Sequence, residues 1–304
     1  MKRKHLLSIG DLTSAEVSGL INKALQMKRR PHLPVLRGKS VVMIFEKPSL
    51  RTKVSFEVAI SQLGGHCIYL RREEVGMGSR EPVADVARIL SRYASAVIVR
   101  TFAQRTLETL AKYASIPVIN ALSDEEHPCQ ALADLLTIYE KRGALQGMTI
   151  AYIGDGNNVA TSLALASVSV GANFIIASPK GHEIPKSAWE KARRRSLRQD
   201  TWIKWVESPQ EAARGADVIY TDVWISMGQE EEARRRVEVF SPYQVNEALL
   251  SLAKEDAIFM HPLPAHPGQE ISEGLLEHPR SVVFDQAENR LHMQKAILRE
   301  ILEE

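Results

Sequence analysis

The stretch PSLRTK (48–53) sets two hydroxyls, Ser49 and Thr52, beside two cations, Arg51 and Lys53. It follows the apolar run SVVMIF (40–45), which reads as a buried strand, and it opens a helix. A helix N-terminus presents unpaired amide N–H groups and the positive end of the helix dipole, so it attracts anions. Hydroxyl donors and the planar guanidinium fork suit a phosphate held there. Spacing alone leaves two readings open: a helix capped by Ser49 with Arg51 in solvent, and an anion site. A P-loop would need GxxxxGK followed by Ser or Thr, and the chain has none. Arg100 closes another apolar run, AVIVRT, at the strand end where open α/β sheets present ligands. His127 and Gln130, three residues apart in HPCQALADLL, share one face of a helix start. Their bland readings are an ordinary first-turn histidine and a solvent-facing amide.

Short β-branched runs alternating with amphipathic stretches must position these residues, which predicts βα units and mostly parallel sheets. Strands are expected at 40–45, 66–70, 96–101 and 117–120, with helices near 50–63, 82–94, 105–114 and 128–143. The pattern restarts at MTIAYIGD (148–155) and continues through NFIIAS, WIKWV, DVIYTD, AIFMH and VVFD (282–285) as further strands. The fold class expected is α/β, with two similar-sized domains, each a mostly parallel sheet flanked by helices. The boundaries fall at 1–144, 145–288 and 289–304, the last a helix returning to the first domain.

Of 304 residues, 44% are hydrophobic and 25% charged, a globular balance, and the net charge of +2 offers no field for nucleic acid or an anionic membrane. Two cysteines, Cys67 and Cys129, form no disulfide framework and fit a reducing cytoplasm. The N-terminus lacks the apolar stretch of a signal peptide, and no run suits a membrane span. KARRRSLRQ (191–199) reads as a solvated helix face, and QEEEARRR (229–236) as Glu–Arg ion pairs along a helix. YIGDGNNVATSL imitates a dinucleotide fingerprint, but Val159 stands at the third glycine position and Asp155 would oppose a pyrophosphate.

SLRTK and HPCQ together resemble signatures of the aspartate/ornithine carbamoyltransferases, and about six motifs match in order along essentially the whole chain. The resemblance implies that Ser49, Leu50, Arg51, Thr52, Arg100, His127, Gln130, Leu263 and Arg290 hold carbamoyl phosphate. YTDVWISMGQE (220–230) is similar to the loop of the ornithine-specific enzymes, which makes Asp222, Ser226 and Met227 ornithine contacts, with Asn158 of GDGNN on its carboxylate. Arg51, Arg100, His127 and Asp222 become the catalytic group, the donors among them stabilising the oxyanion that forms on the carbamoyl oxygen. The expectation is carbamoyl transfer to the δ-amine of L-ornithine, giving citrulline and phosphate, in a homotrimer or assembly of trimers, without cofactor or metal.

The sequence departs from that family twice. HPLP carries Pro262 where the family has Cys, so a thiol and an N–H are lost beside the amine, and His266 is a candidate polar substitute. Glu74 stands where a Gln reaches a neighbouring subunit's phosphate, and it must turn away to avoid repulsion. Two alternatives follow: another amine acceptor such as putrescine or an N-acylated ornithine, or a non-catalytic binding homologue.

Overall fold

The computed structural model describes residues 5–30, 32–225 and 230–303. It divides into two compact units, residues 1–136 with 288–304, and residues 137–287. Every strand pairing among the described residues is parallel.

In the first unit, helix α1 (Ser14–Arg29) precedes β1 (Ser40–Phe45), α2 (Leu50–Gln62), β2 (His66–Arg71) and the short α3 (Arg72–Val75). Then come α4 (Val83–Tyr93), β3 (Ala96–Arg100), α5 (Gln104–Tyr113), β4 (Val118–Leu122) and the start of α6 (Pro128–Arg142). The sheet order is β2-β1-β3-β4. Central β3 is buried throughout, as a parallel sheet covered on both faces requires, whereas edge strand β2 is partly exposed. Val42, Ile44, Val97 and Val99 pack with Leu107 and Leu110 of α5 on one face. Register between β3 and β4 slips at Val99/Arg100, so a bulge re-aims the strand end that carries Arg100.

The second unit holds the rest of α6, then β5 (Thr149–Ile153), α7 (Asn158–Ser169), β6 (Asn173–Ala177), α8 (Lys186–Arg198) and β7 (Ile203–Val206). It continues with α9 (Pro209–Ala213), β8 (Val218–Thr221), α10 (Ala233–Phe240), α11 (Glu247–Leu250), β9 (Ile258–Met260) and the first turn of α12 (Val283–Leu302). Its sheet runs β7-β6-β5-β8-β9 over a core that includes Ile153, Ile219, Trp224, Phe240 and Phe259.

The remainder of α12 belongs to the first unit. Met293, Ala296, Ile297 and Leu298 are buried, Lys295 donates to Gln62 Oε1 at 2.8 Å, and Lys23 pairs with Glu300. The C-terminal helix therefore packs back on the first unit, as expected. No described helix is long and apolar enough to cross a membrane.

Two sequence expectations fail locally. VVFD is not a strand: only Ser281 makes an isolated bridge to Phe259, and helix α12 begins at Val283. The Val282 N–H donates to Phe259, and the Gln286 N–H then donates back to Val282, closing the first helical turn. Nor does Arg236 join a surface ion-pair ladder. It is 5% exposed, and its guanidinium donates to the Trp224 carbonyl at 2.6 Å and to the Asp155 carboxylate. In the 191–197 run Lys191, Arg193, Arg194 and Leu197 face solvent, Ala192 and Ser196 are buried, and Arg195 donates to the Ser169 hydroxyl at 3.0 Å.

Candidate active site

In the first unit, Ser49 is the N-cap of α2. Its Oγ accepts the Thr52 N–H at 3.3 Å and contacts the Thr52 hydroxyl at 3.0 Å. Capping does not exhaust the turn, because Thr52 is 1% exposed and its hydroxyl accepts from the Arg290 guanidinium of α12. Leu50, the first residue of α2, is 74% exposed.

Arg100 is buried at the end of β3. Burial, then the like charges of Arg290 and Arg51, pull its pKa down to about 10. Burial also drives His127 well below the usual imidazole range, with Arg290 and Arg100 adding to it, so this imidazole is neutral at physiological pH. These couplings bring Arg51, Arg100, His127, Thr52 and Arg290 into one neighbourhood. Three guanidiniums in partly buried surroundings repel one another and lose hydration. A compact dianion offsets both costs, and a neutral imidazole beside it can donate a hydrogen bond without adding charge.

Gln130 is not a solvent-facing amide. It is 1% exposed and donates to Asp134 Oδ1 at 2.8 Å. The approach to His127 is braced by buried Glu126, which accepts the Ile9 N–H at 3.0 Å and the Ser8 hydroxyl. The Glu74 carboxylate accepts the Arg71 N–H at 2.7 Å, closing a cap on α3. Lys53 lies over the Tyr69 ring, 3.9 Å from its centroid.

In the second unit, Asp222 follows β8 and is buried. Asn157 Nδ2 donates to its Oδ2 at 2.8 Å and the Val223 N–H to its Oδ1 at 2.8 Å. Burial raises the Asp222 pKa, an effect that His261 and these donors oppose. Asn157 is itself the N-cap of α7, its Oδ1 accepting from Val159 and Ala160. That capping fixes which end of the amide meets Asp222. Asn158 occupies the first turn of the same helix. Ser226 and Met227 lie outside the described residues.

The GDGNN turn is shaped for the chain's own backbone. A Cβ at Gly156 would lie 2.3 Å from Glu183 C and Ile184 N, and the Gly156 N–H donates to the His182 carbonyl. Asp155 pairs with buried Arg236, which also anchors the carbonyl of Trp224, two residues after Asp222.

Pro262 is buried, and Leu263 adopts φ +57°, a left-handed conformation unusual for a branched side chain. The Leu263 N–H donates to His261 Nδ1 at 2.9 Å, which places the His261 proton on Nε2, facing Glu270 Oε1 at 3.2 Å. Buried Glu270 also accepts the His266 N–H at 2.5 Å. Burial would raise its pKa, but these donors hold it below the usual range. Gln286 completes the bracket, accepting the His261 N–H and donating to Tyr220. His266, the candidate substitute for the thiol, has a half-exposed side chain whose Nδ1 lies 3.6 Å from the Glu270 carboxylate.

Sequence reasoning missed Asn157, Asp134, Glu270 and the Asp155–Arg236 pair. Two carried a legible signal: Asn157 stands at an N-cap position, and Asp134 lies one helical turn after Gln130.

The description "Aspartate/ornithine carbamoyltransferase, carbamoyl-P binding domain" matches residues 4–140, and the family's "Asp/Orn binding domain" matches residues 146–301. The chain is 52% identical over 305 residues to an ornithine carbamoyltransferase of Hyperthermus butylicus, covering 98% of this chain and 97% of that one. It is 49% identical over 306 residues to an ornithine carbamoyltransferase of Anoxybacillus flavithermus, covering 99% and 98%. The solved structure of ornithine carbamoyltransferase from Pyrococcus furiosus superposes with a TM-score of 0.96 at 46% identity, covering 98% and 97%. This chain belongs to the aspartate/ornithine carbamoyltransferase family.

Proposed function

We propose that the chain catalyses carbamoyl transfer from carbamoyl phosphate to the δ-amine of L-ornithine, yielding L-citrulline and phosphate. The observation that carries this reading is the cluster of Arg51, Arg100, Arg290 and neutral His127 around the Thr52 turn. Ser49, Leu50, Arg51, Thr52, Arg100, Gln130, Leu263 and Arg290 bind carbamoyl phosphate in this proposal. Thr52, Arg100 and His127 face its carbamoyl oxygen.

The ornithine δ-ammonium titrates near about 10.4, so a minor neutral form reacts. Asp222 accepts a hydrogen bond from that amine, while Asn158, Ser226 and Met227 take the amino-acid end. The nitrogen lone pair forms a C–N bond to the carbamoyl carbon, and the carbonyl π electrons move onto oxygen. Collapse re-forms the carbonyl and breaks the C–O bond to phosphate, which leaves with that electron pair and takes the amine proton. Donors already aimed at the oxyanion lower the barrier, and losing one costs about 100-fold or more in rate.

The functional halves are taken as residues 1–144 for carbamoyl phosphate and 145–288 for ornithine, with 289–304 as the returning helix. A homotrimer or assembly of trimers, working in the cytoplasm without a cofactor or metal, completes the proposal. Glu74 does not argue for a non-catalytic homologue, since it is engaged in a helix cap. Purified protein with carbamoyl phosphate and, in parallel, ornithine, putrescine or N-acetylornithine tests the reading. Citrulline should form from ornithine well above background. Preference for either other amine, or no turnover, would overturn it.

A further inference from the structure

Gln130 and Asp134 lie one turn apart on α6, both buried, with Gln130 Nε2 donating to Asp134 Oδ1 at 2.8 Å. A carboxylate offers acceptors only, so it dictates the amide's polarity: the NH₂ turns toward Asp134 and the carbonyl oxygen turns away. That oxygen, Oε1, is buried without a protein hydrogen bond. His127 immediately precedes α6, and its carbonyl accepts the Gln130 N–H at 3.1 Å. The groups gathered with it in the first unit, Arg51, Arg100, Arg290 and the Thr52 hydroxyl, can all donate. Gln130 Oε1 is an acceptor in a donor-rich neighbourhood.

Resting on the function proposed above, we propose that Asp134 is a positioning residue which makes the site select a carbamoyl over an acyl phosphate, by holding Gln130 with its carbonyl oxygen toward the carbamoyl NH₂. Carbamoyl phosphate presents acceptors at its phosphate and carbonyl oxygens and a donor only at the NH₂. Acetyl phosphate is close to isosteric but carries a methyl group there. An acceptor locked in place rewards the NH₂ with a hydrogen bond. Set against a methyl, the same acceptor is left buried and unpaired, and a site built to bond a polar group rejects the analogue that lacks it. Without Asp134 the amide can rotate and offer its NH₂ instead, which rewards neither ligand selectively.

Calorimetric titration of the purified protein with carbamoyl phosphate, acetyl phosphate and inorganic phosphate tests this. The unsubstituted protein should bind carbamoyl phosphate in clear preference to acetyl phosphate. Asp134→Leu, similar in shape but unable to accept, should lower that preference about tenfold. Its affinity for inorganic phosphate should stay within about twofold, because the arginine grip is untouched. Asp134→Asn keeps a carbonyl acceptor and should retain most of the preference. Gln130→Met should lose as much as Asp134→Leu, and the double variant no more than either, the signature of two residues acting as one.

Parallel weakening of all three ligands, or an unchanged preference in Asp134→Leu, would overturn the assignment. If the leucine variant does not fold, equal losses in Asp134→Asn and Gln130→Met would overturn it as well. An unsubstituted protein that makes citrulline without discriminating the two acyl phosphates sinks this inference and spares the function. One that discriminates them but makes no citrulline does the reverse.

Discussion

Arg100 keeps its charge where burial and two neighbouring guanidiniums oppose it, so its site is under electrostatic stress until an anion binds. Phosphate should therefore stabilise the protein, by about 2.7 kcal/mol at a hundredfold excess over Kd. Arg100→Met should melt at or above the unsubstituted protein when phosphate is absent, yet gain less when it is added, since Arg51 and Arg290 remain. Thermal denaturation with and without phosphate checks both outcomes. His127 yields a pH prediction of definite sign. Its folded pKa lies well below 6.5, so as pH falls through about 6.5 the unfolded chain takes a proton that the folded one refuses. Stability is fully present above that pH and is lost below it, by at most about 1.4 kcal/mol per pH unit from this group. His127→Gln should flatten the acid limb between pH 6.5 and 5, leaving the smaller contribution of His292, shifted in the same direction. An unchanged slope in denaturant titrations would refute the neutral imidazole. Pro262→Cys returns a thiol to the segment next to His261, and it should change the ornithine KM or the pH profile if that backbone meets the amine.

Helix α2 begins with a residue that can serve as cap or ligand, and the two roles separate by substitution. Aspartate caps as well as serine, so Ser49→Asp should leave stability within about 0.5 kcal/mol. It also sets a carboxylate against phosphate, so the carbamoyl phosphate KM should rise steeply. A stable variant with an unchanged KM would mean the turn only caps a helix. Much of this was legible beforehand, since apolar runs bounded by turn residues located β1 to β9 and amphipathic stretches located α2, α4, α5 and α6, whereas α1, α3, α7, α9 and α11 were not anticipated. What was not legible were contacts that reverse a local pattern. VVFD has strand composition, but β9 is three residues long and the segment leaves it after one bridge at Ser281. Arg236 has the spacing of a surface ion pair, and its true partner, Asp155, lies 81 positions away. Sequence periodicity reports which face a residue occupies, not which distant carboxylate waits beneath it.

Across the whole chain, residues distant in sequence meet at the phosphate turn, as Thr52 and Arg290 do over 238 positions. Motif order revealed them as a set, whereas the roles of Asn157, Asp134 and Glu270 emerge from the hydrogen bonds they make. The returning helix joins structure to chemistry, because α12 carries Arg290 and also buries Leu298 and Ile297. Leu298→Ala should cost about 2–5 kcal/mol and lower turnover only in proportion to the folded fraction. Loss of activity at full helicity would instead show that α12 sets the position of Arg290.

The glycine pair that mimics a dinucleotide fingerprint has its own consequence. In such fingerprints the second glycine admits a pyrophosphate close to the backbone. Here Gly156 admits the peptide at Glu183–Ile184, and that peptide is tethered to the same molecule. A nucleotide would have to outcompete a segment whose effective concentration is set by the chain and does not fall on dilution. The motif is thus a lock with its key built in, and even Gly156→Ala would drive the backbone apart without creating a cofactor site.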